Sequence, residues 1–383
     1  MAGIYIHIPF CKQFCIYCDF YSTKMLSKRG DFVKALRREI RDRSKEFEEI
    51  GETVNTIYFG GGTPSVLRAS QLGSILNAIQ KNYPVCLSEP EVTVEVNPDD
   101  VTPTFMRFIR EAGFNRLSMG VQSFYDSHLK WMNRRHTGNE AIKAFNIARN
   151  AGFNNISIDL IFGFEGLTNY MWRENIKAAI SLSPEHISCY QMGVEKGTKL
   201  YKQYVSGEYI ALNDHSSLCQ YTTLQSYLAE AGYIQYEISS FCKPGMESRH
   251  NSSYWNFTPY LGFGPSAHSF NRDKRVWNCK GINSYINGVK KGERLYRAEL
   301  VLPRDRFNEY IMLSLRTTDG IDKKELEGAN NLATEFSKLI TPEFRATLNS
   351  FIKKGVLIED GGKLKIPPEK LFLSDGIIRD LFI

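Results

Sequence analysis

The sequence predicts an α/β protein: a partial (β/α)6 barrel over residues 1–200, a barrel-capping region over 201–300, and a smaller α+β, winged-helix-like C-terminal module over 301–383. Three observations predict it. Short β-branched runs alternate with amphipathic stretches through the first half of the chain, the pattern of βα units and a parallel sheet. Residues 111–118 (Glu-Ala-Gly-Phe-Asn-Arg-Leu-Ser) are echoed at 150–157 (Asn-Ala-Gly-Phe-Asn-Asn-Ile-Ser), as if a helix twice ended at Ala-Gly and a strand followed. Past residue 200 the alternation stops, and the chain closes on helical text and a hairpin signal.

Strands are expected at 4–8, 56–59, 91–96, 116–121, 156–162 and 186–192, with helices at 31–47, 103–112, 139–151 and 170–181 between them. A helix is expected over 213–231, capped by Asn213 or Asp214, and a strand over 234–238. Residues 241–270 read as a long loop, which makes them functional or disordered. The aromatics Tyr254, Trp255, Phe257, Tyr260, Phe263 and Phe270 argue against disorder. Near the end, 356–358 and 364–366 flank Gly361-Gly362 as a hairpin, and a last helix begins at Ser374 with a Ser or Asp N-cap. The hairpin offers only Lys363 and Lys365 beside Glu359-Asp360, a poor footprint for DNA.

Composition narrows the function classes. A chain of 383 residues, 42% hydrophobic, can bury a barrel-sized core and a smaller one. No apolar run approaches the ~18 residues of a membrane span, and the first residues lack the layout of a secretory signal. The net charge of +6 gives a weak attraction to anions or acidic lipid, but no Lys/Arg block demands a nucleic acid. Of eight cysteines, three crowd into 11–18, while Cys86, Cys189, Cys219, Cys242 and Cys279 stand alone and read as core fillers. Such clustering points to a reducing, cytoplasmic setting and a metal or cluster site rather than a disulfide framework.

Cys11-x3-Cys15-x2-Cys18 follows the first strand, at the barrel end where active sites gather. Three thiolates on a four-iron cubane leave one iron open to chemistry. Structural zinc would need a fourth ligand; His7 is the neighbour, but it lies on the strand. Gly60-Gly61-Gly62-Thr63-Pro64 is either a turn or a place where backbone carbonyls approach a ligand. Glu95, Gln122 and Asp159 lie on later strands or just beyond them, and Asp159, flanked by apolar residues, aims at the barrel interior as a site residue or a structural ion pair. His250 stands in Arg-His-Asn-Ser-Ser-Tyr-Trp (249–255). Neutral imidazole is a common haem ligand, and Tyr254 and Trp255 could stack on a macrocycle. Equally, His250 could bond a backbone carbonyl while the aromatics cap the barrel. His268 is a rival ligand; His7, His128, His136, His186 and His215 have no such context.

The cysteine spacing, with Tyr17 before the last cysteine, resembles the signature of the radical S-adenosylmethionine (SAM) superfamily. The resemblance covers nearly the whole chain and points to the branch of oxygen-independent coproporphyrinogen III dehydrogenase. It runs through residues 5–11 (Tyr-Ile-His-Ile-Pro-Phe-Cys), 60–64, 119–123 (Met-Gly-Val-Gln-Ser), 159–163 (Asp-Leu-Ile-Phe-Gly) and 262–269 (Gly-Phe-Gly-Pro-Ser-Ala-His-Ser). It implies a (β/α)6 radical SAM barrel with a C-terminal domain and a 4Fe–4S cluster on Cys11, Cys15 and Cys18. It also implies SAM on the open iron, with contacts from Tyr5, Gly61, Gly62, Thr63, Glu95, Gln122, Arg134 and Asp159. Arg134, next to Arg135, would meet the SAM carboxylate as a planar fork.

Within the branch, three features resemble the HemW-type haem chaperones rather than the enzyme. Phe20 stands where the enzyme has a further cysteine, the first strand is expected from Ile4 without the enzyme's preceding extension, and His250-Asn251-x-x-Tyr254-Trp255 resembles the chaperones' haem-binding motif. The resemblance implies a carrier that binds haem through His250 and passes it to haem proteins, among them membrane respiratory enzymes. Peripheral contact at the inner face of the cell membrane and a homodimer are further expectations. The other reading keeps the enzyme: radical oxidative decarboxylation of coproporphyrinogen III. Methyl transfer is disfavoured, since no second SAM-binding motif is present.

Overall fold

A computed structural model describes residues 1–48, 51–86, 88–327 and 336–383. Its centre is a run of parallel strands: β1 (Ala2–Ile8), β2 (Val54–Gly61), β3 (Glu91–Val96), β4 (Arg116–Gln122), β5 (Ile156–Phe162) and β6 (His186–Gln191). They lie side by side in chain order, as a partial barrel requires. The helices Arg29–Asp42, Ala69–Asn82, Pro103–Glu111, Gly138–Asn150 and Asn169–Ser181 connect them. Thr102, Thr137 and Thr168 cap three of these helices, each hydroxyl accepting a backbone N–H of the first turn. The two Ala-Gly helix ends of the sequence echo are real stops: Gly113 and Gly152 sit at φ +106° and +88°, where a Cβ is disfavoured.

The strands are two-faced in an unusual sense. Ile4, Ile6 and Ile8 alternate with Gly3, Tyr5 and His7; Val92, Val94 and Val96 with Glu91, Thr93 and Glu95; Leu117, Met119 and Val121 with Arg116, Ser118 and Gly120. Ile158 and Ile187 continue the apolar row, and Asp159, His186 and Ser188 the polar one. The apolar row packs into one continuous core with helix residues such as Phe32, Leu36, Leu72, Ile75, Met106 and Ile109. The polar row faces the barrel interior, where its members bond one another rather than bulk water. A parallel barrel usually fills that interior with branched aliphatics.

The sheet continues past the barrel. Beside β6 lie β7 (Ile234–Glu237) and β8 (Ser240–Cys242); beside β1 lie β9 (Tyr260–Phe263), then β10 (His268–Phe270), β11 (Lys274–Asn278) and β12 (Tyr296–Leu300), twelve strands in all. The expected loop at 241–270 is therefore largely regular, holding β8, the helix Arg249–Trp255, β9 and β10. Its order comes from distant partners that local composition does not show: β9 pairs in parallel with β1, and the Glu91 carboxylate accepts the N–H groups of Arg249 and His250.

The helix Asp214–Glu230 starts as expected, Asn213 accepting from the Ser216 N–H. In the C-terminal part the helices Pro303–Leu315 and Pro342–Lys353 accompany a three-stranded antiparallel sheet of β13 (Ile321–Asp322), β14 (Ile358–Asp360) and β15 (Lys363–Lys365). The hairpin is tighter than expected. Gly361 and Gly362 both have positive φ, a two-residue turn that starts the strands at Asp360 and Lys363. Ser374 opens the last helix, Ser374–Arg379, but makes no capping bond, because a 3₁₀ turn (Pro368–Leu373) runs straight into it and Leu373 occupies the cap position. Of the isolated cysteines only Cys189 and Cys242 are buried; Cys86, Cys219 and Cys279 are half-buried.

One buried carboxylate ties the barrel to its extension. Glu39 accepts from Arg43 Nη1 (3.0 Å), Asn278 Nδ2 (2.7 Å), the Tyr285 hydroxyl (2.6 Å) and the Gly264 N–H (3.0 Å). Glu39→Leu strands the buried Arg43 guanidinium without this partner, and urea unfolding is expected to register a loss of about 3–5 kcal/mol.

Candidate functional site

At the barrel mouth two loops are stitched together. The Gly62 N–H donates to the Ile8 carbonyl (2.9 Å) and the Thr63 N–H to that of Phe10 (2.8 Å), which fixes the glycine run against the cysteine loop. Glycine is obligatory here. A Cβ on Gly61 (φ +109°) would meet the His7 ring at 2.5 Å, and one on Gly62 the Phe10 carbonyl oxygen at 2.8 Å. The Thr63 hydroxyl points at Cys11 Sγ (3.6 Å). Arg134 Nη1 points at Cys15 Sγ (3.5 Å), while its Nη2 donates to the Gly120 carbonyl (2.6 Å) and to Asn97 Oδ1 (2.8 Å). Arg135 turns away to an ion pair with Asp99 (2.8 Å), so of the adjacent arginines it is Arg134 that reaches the cysteine loop. Gln122 ends β4 at φ +68°, beside a register shift, with its amide next to Gly120 and Arg134.

By donor chemistry this mouth fits an iron–sulfur cluster. Three thiols share one loop, a hydroxyl and a guanidinium stand ready to donate to sulfur, and among the described residues no carboxylate bonds to them. Among the described residues no three metal-binding side chains are closed on a single point, so a cluster would draw the loop in. Burial pushes the thiols of Cys11 and Cys18 up, the latter to about 11, so a metal that binds them displaces protons. His7, the alternative fourth ligand, has both ring nitrogens occupied by Tyr5 (3.2 Å) and the Tyr21 carbonyl (2.9 Å).

Below the mouth the polar row becomes a connected lumen. Glu95 accepts from the Tyr58 hydroxyl (2.8 Å) and the Gly61 N–H (3.2 Å). Asp159 accepts from Ser118 (3.0 and 3.2 Å) and makes no ion pair among the described residues. Tyr5 stacks on Tyr58 at 6.2 Å between ring centroids. Burial, with Asp159 adding, pushes the Glu95 carboxyl up to about 7 against the pull of its hydrogen bonds, and burial pushes Asp159 to about 6.

His250 lies at the opposite end, on the lumen floor. It is 1% exposed on the helix Arg249–Trp255, whose N-cap is Ser248. Its Nδ1 meets the Thr56 hydroxyl (2.8 Å), its Nε2 the Tyr254 hydroxyl (2.9 Å), and its ring stacks on Tyr58 at 5.1 Å. Burial lowers its pKa to about 3, so the imidazole is neutral. Gly3 makes room for the ring, since a Cβ there would come within 3.3 Å of it. His268 is exposed and stacks on Trp277.

Comparisons with known proteins agree with this geometry. Residues 5–179 match the model of the radical SAM superfamily and residues 301–373 that of the HemN C-terminal domain. The protein called heme chaperone HemW of Bacillus subtilis (strain 168) is 34% identical, with 93% of both chains covered. The one of Mycobacterium tuberculosis (strain ATCC 25618 / H37Rv) is 32% identical, over 99% of this chain and 94% of its own. The chain belongs to the HemW family of radical SAM proteins. The solved structure of coproporphyrinogen III oxidase (HemN) from Escherichia coli, a radical SAM enzyme, has the same fold: TM-score 0.83 at 24% identity, covering 100% of this chain and 90% of that one.

Sequence reasoning brought the mouth residues of this HemW-family chain together but missed those that connect them. Tyr58 and Thr56 hold the floor, Asn97 bridges Arg134 to Thr63 (3.4 Å), and Ser118 satisfies Asp159. The signal was a strict alternation of polar and apolar residues in strands buried on both faces.

The raised Glu95 carboxyl sets a pH dependence. Between about 4.5, its ordinary value, and about 7 the folded chain holds a proton that the unfolded chain has released, so stability falls as pH rises. The loss is on the order of 3 kcal/mol. Urea unfolding near both ends of that window is expected to show a smaller pH-dependent loss in Glu95→Gln. Separately, Gly61→Ala is expected to cost roughly 2–4 kcal/mol, and Gly152→Ala, whose Cβ meets nothing, about 1 kcal/mol.

Proposed function

We propose that this chain is a haem chaperone. It carries a 4Fe–4S cluster on Cys11, Cys15 and Cys18 with SAM on the open iron, binds haem through His250, and delivers it to recipient haem proteins. The observation that carries this reading is the similarity over nearly the full length to proteins named heme chaperone HemW. The stitched glycine run, Arg134 beside Cys15, and Glu95 at the Gly61 N–H support a SAM site at the mouth. There Gly61 and Gly62 would face the ammonium and Arg134 the carboxylate, with Tyr5, Thr63, Gln122 and Asp159 around them. Bound there, SAM would supply a sulfonium open to one-electron reductive cleavage.

The neutral His250 is in the form that ligates iron. In the tautomer that donates from Nδ1 to Thr56, Nε2 faces the Tyr254 hydroxyl. Haem iron would take the place of that hydroxyl, while Thr56 fixes the ring as a supporting partner. Phe14, Phe20 and Met25 leave apolar surface around the cysteine loop, which supports pairing with a second copy. Among the described residues no helix is long and apolar enough to cross a membrane. With a charge of +6, delivery to membrane respiratory enzymes would use peripheral contact with anionic lipid on the cytoplasmic face.

One observation favours a second reading. Arg116, 2% exposed on β4, points into the lumen with its Nε–H unpartnered among the described residues, a cation available to a carboxylate-bearing substrate such as coproporphyrinogen III. The two readings separate in one experiment on the anaerobically reconstituted protein. Haem titration is expected to give the Soret band of stoichiometrically ligated haem, which His250→Ala loses. Absence of specific haem uptake by the wild type, with SAM-dependent formation of protoporphyrinogen, would establish the enzyme instead.

A further inference from the structure

A large cavity of about 1490 Å³ lies between the barrel floor and the C-terminal module. It exceeds the ~300–1,000 Å³ usual for drug-sized ligands. Trp255 and Phe257 form its barrel-side wall, Leu261 and Phe270 come from β9 and β10, and Tyr310 faces them from the helix Pro303–Leu315. The Phe257 ring stands between Phe270 (6.2 Å between centroids) and Tyr310 (6.5 Å, nearly parallel).

Two features of this wall have no explanation in the packing. The Trp255 indole N–H is buried yet has no hydrogen-bond partner among the described residues. Phe257 holds φ at +56°, a conformation that costs a bulky residue on the order of 1–3 kcal/mol and concentrates at ligand sites. Cations flank the wall on one side. Arg272 and Arg294 are paired with Glu52 and Glu46, whereas Lys274, at the start of β11, makes no ion pair among the described residues. Asp319 and Asp322 lie on the C-terminal side, where Lys363 pairs with Asp319, and Glu46 and Asp273 stand among the cations, so the charges of the lining are mixed.

We propose that this cavity is where the porphyrin docks: a flat tetrapyrrole lies against Trp255 and Phe257 with its two carboxylates at Lys274 and the neighbouring arginines. The inference rests on the haem-chaperone reading and adds a place to it. His250 is on the same short helix as Trp255 but faces the lumen, bonded to Thr56. Docking therefore does not use His250, and ligation through Nε2, where the Tyr254 hydroxyl now sits, is a second event.

Metal-free protoporphyrin IX separates the two events, because it has the shape and the carboxylates but no iron to ligate. The full-length wild type, Lys274→Glu, Trp255→Phe and His250→Ala are titrated with protoporphyrin IX and with haem, following tryptophan fluorescence and porphyrin absorbance. Protoporphyrin IX is expected to bind wild type and His250→Ala alike. Lys274→Glu weakens that binding on the order of tenfold, and Trp255→Phe removes most of the quenching. Lys274 is half-buried at the cavity edge and makes no ion pair among the described residues, so its variant keeps the test alive if Trp255→Phe does not fold. Haem uptake by wild type that is matched by Lys274→Glu for both porphyrins overturns the docking site and leaves the chaperone reading standing. Uptake of neither porphyrin by wild type overturns both.

Discussion

Everything at this site depends on the barrel interior being polar. Six adjacent strands turn Ile, Val, Leu and Met toward the helices and Tyr, Glu, Arg, Ser, Asp and His toward one another. Removing such groups from water costs several kcal/mol each unless they are bonded. The interior therefore cannot be a loose collection. Glu95 must have Tyr58 and the Gly61 N–H, Asp159 must have Ser118, and His186 must have Ser157 and Tyr236 (2.8 and 2.7 Å). Each requirement fixes the register of a neighbouring strand, so the hydrogen-bond demand of the lumen and the order of the sheet are one constraint.

That constraint also joins the two ends of the barrel. Tyr58 is the shared residue: its hydroxyl serves Glu95 beneath the glycine run, and its ring lies on His250 at the floor. A group that engages Glu95 at the mouth acts on the hydrogen bond that positions Tyr58, and Tyr58 is one side of the slot that holds His250. Coupling between sites needs an element that both can bias, and here a single side chain is in contact with both.

The legibility of the chain follows from the range of the interactions. The six strands, four of the helices between them and the Ala-Gly stops could be read locally, because period, capping and glycine chemistry act within a few residues; the helix Ala69–Asn82 is not among those expected. That the cysteine loop, Gly61, Gly62, Glu95, Arg134 and Asp159 share one end of the barrel and its lumen is an expectation from spacing and resemblance, and the fold does bring them near one another. The fold of residues 241–270 could not, because β9 is a strand only by pairing with β1, far back in the chain, and the helix that carries His250 is held by Glu91 on β3. The hairpin strands were displaced from their expected positions by the two left-handed glycines, a conformational fact that composition hints at but register alone decides. Tyr58 and Thr56 went unnoticed because an aromatic or a threonine in a strand is ordinarily read as β-propensity, not as lining.

The helix that carries His250 has a physical character suited to a moving part. It spans seven residues, Arg249–Trp255. An isolated helix of that length is unstable, since nucleation is costly and few bonds follow it. Its order is conferred from outside, by the Glu91 carboxylate on its first N–H groups, the Ser248 cap, and the bonds of His250 to Thr56 and Tyr254. Of these, only the Tyr254 contact is internal to the helix and competes directly for Nε2. On the haem-chaperone reading, exchanging it for iron would sacrifice one neutral hydrogen bond, worth about 0.5–1.5 kcal/mol, and leave the anchor at Glu91 in place. If His250 is the haem ligand proposed above, its neutral imidazole, freed at Nε2 by loss of the Tyr254 contact and still held at Nδ1 by Thr56, would be uncovered without unfolding the barrel.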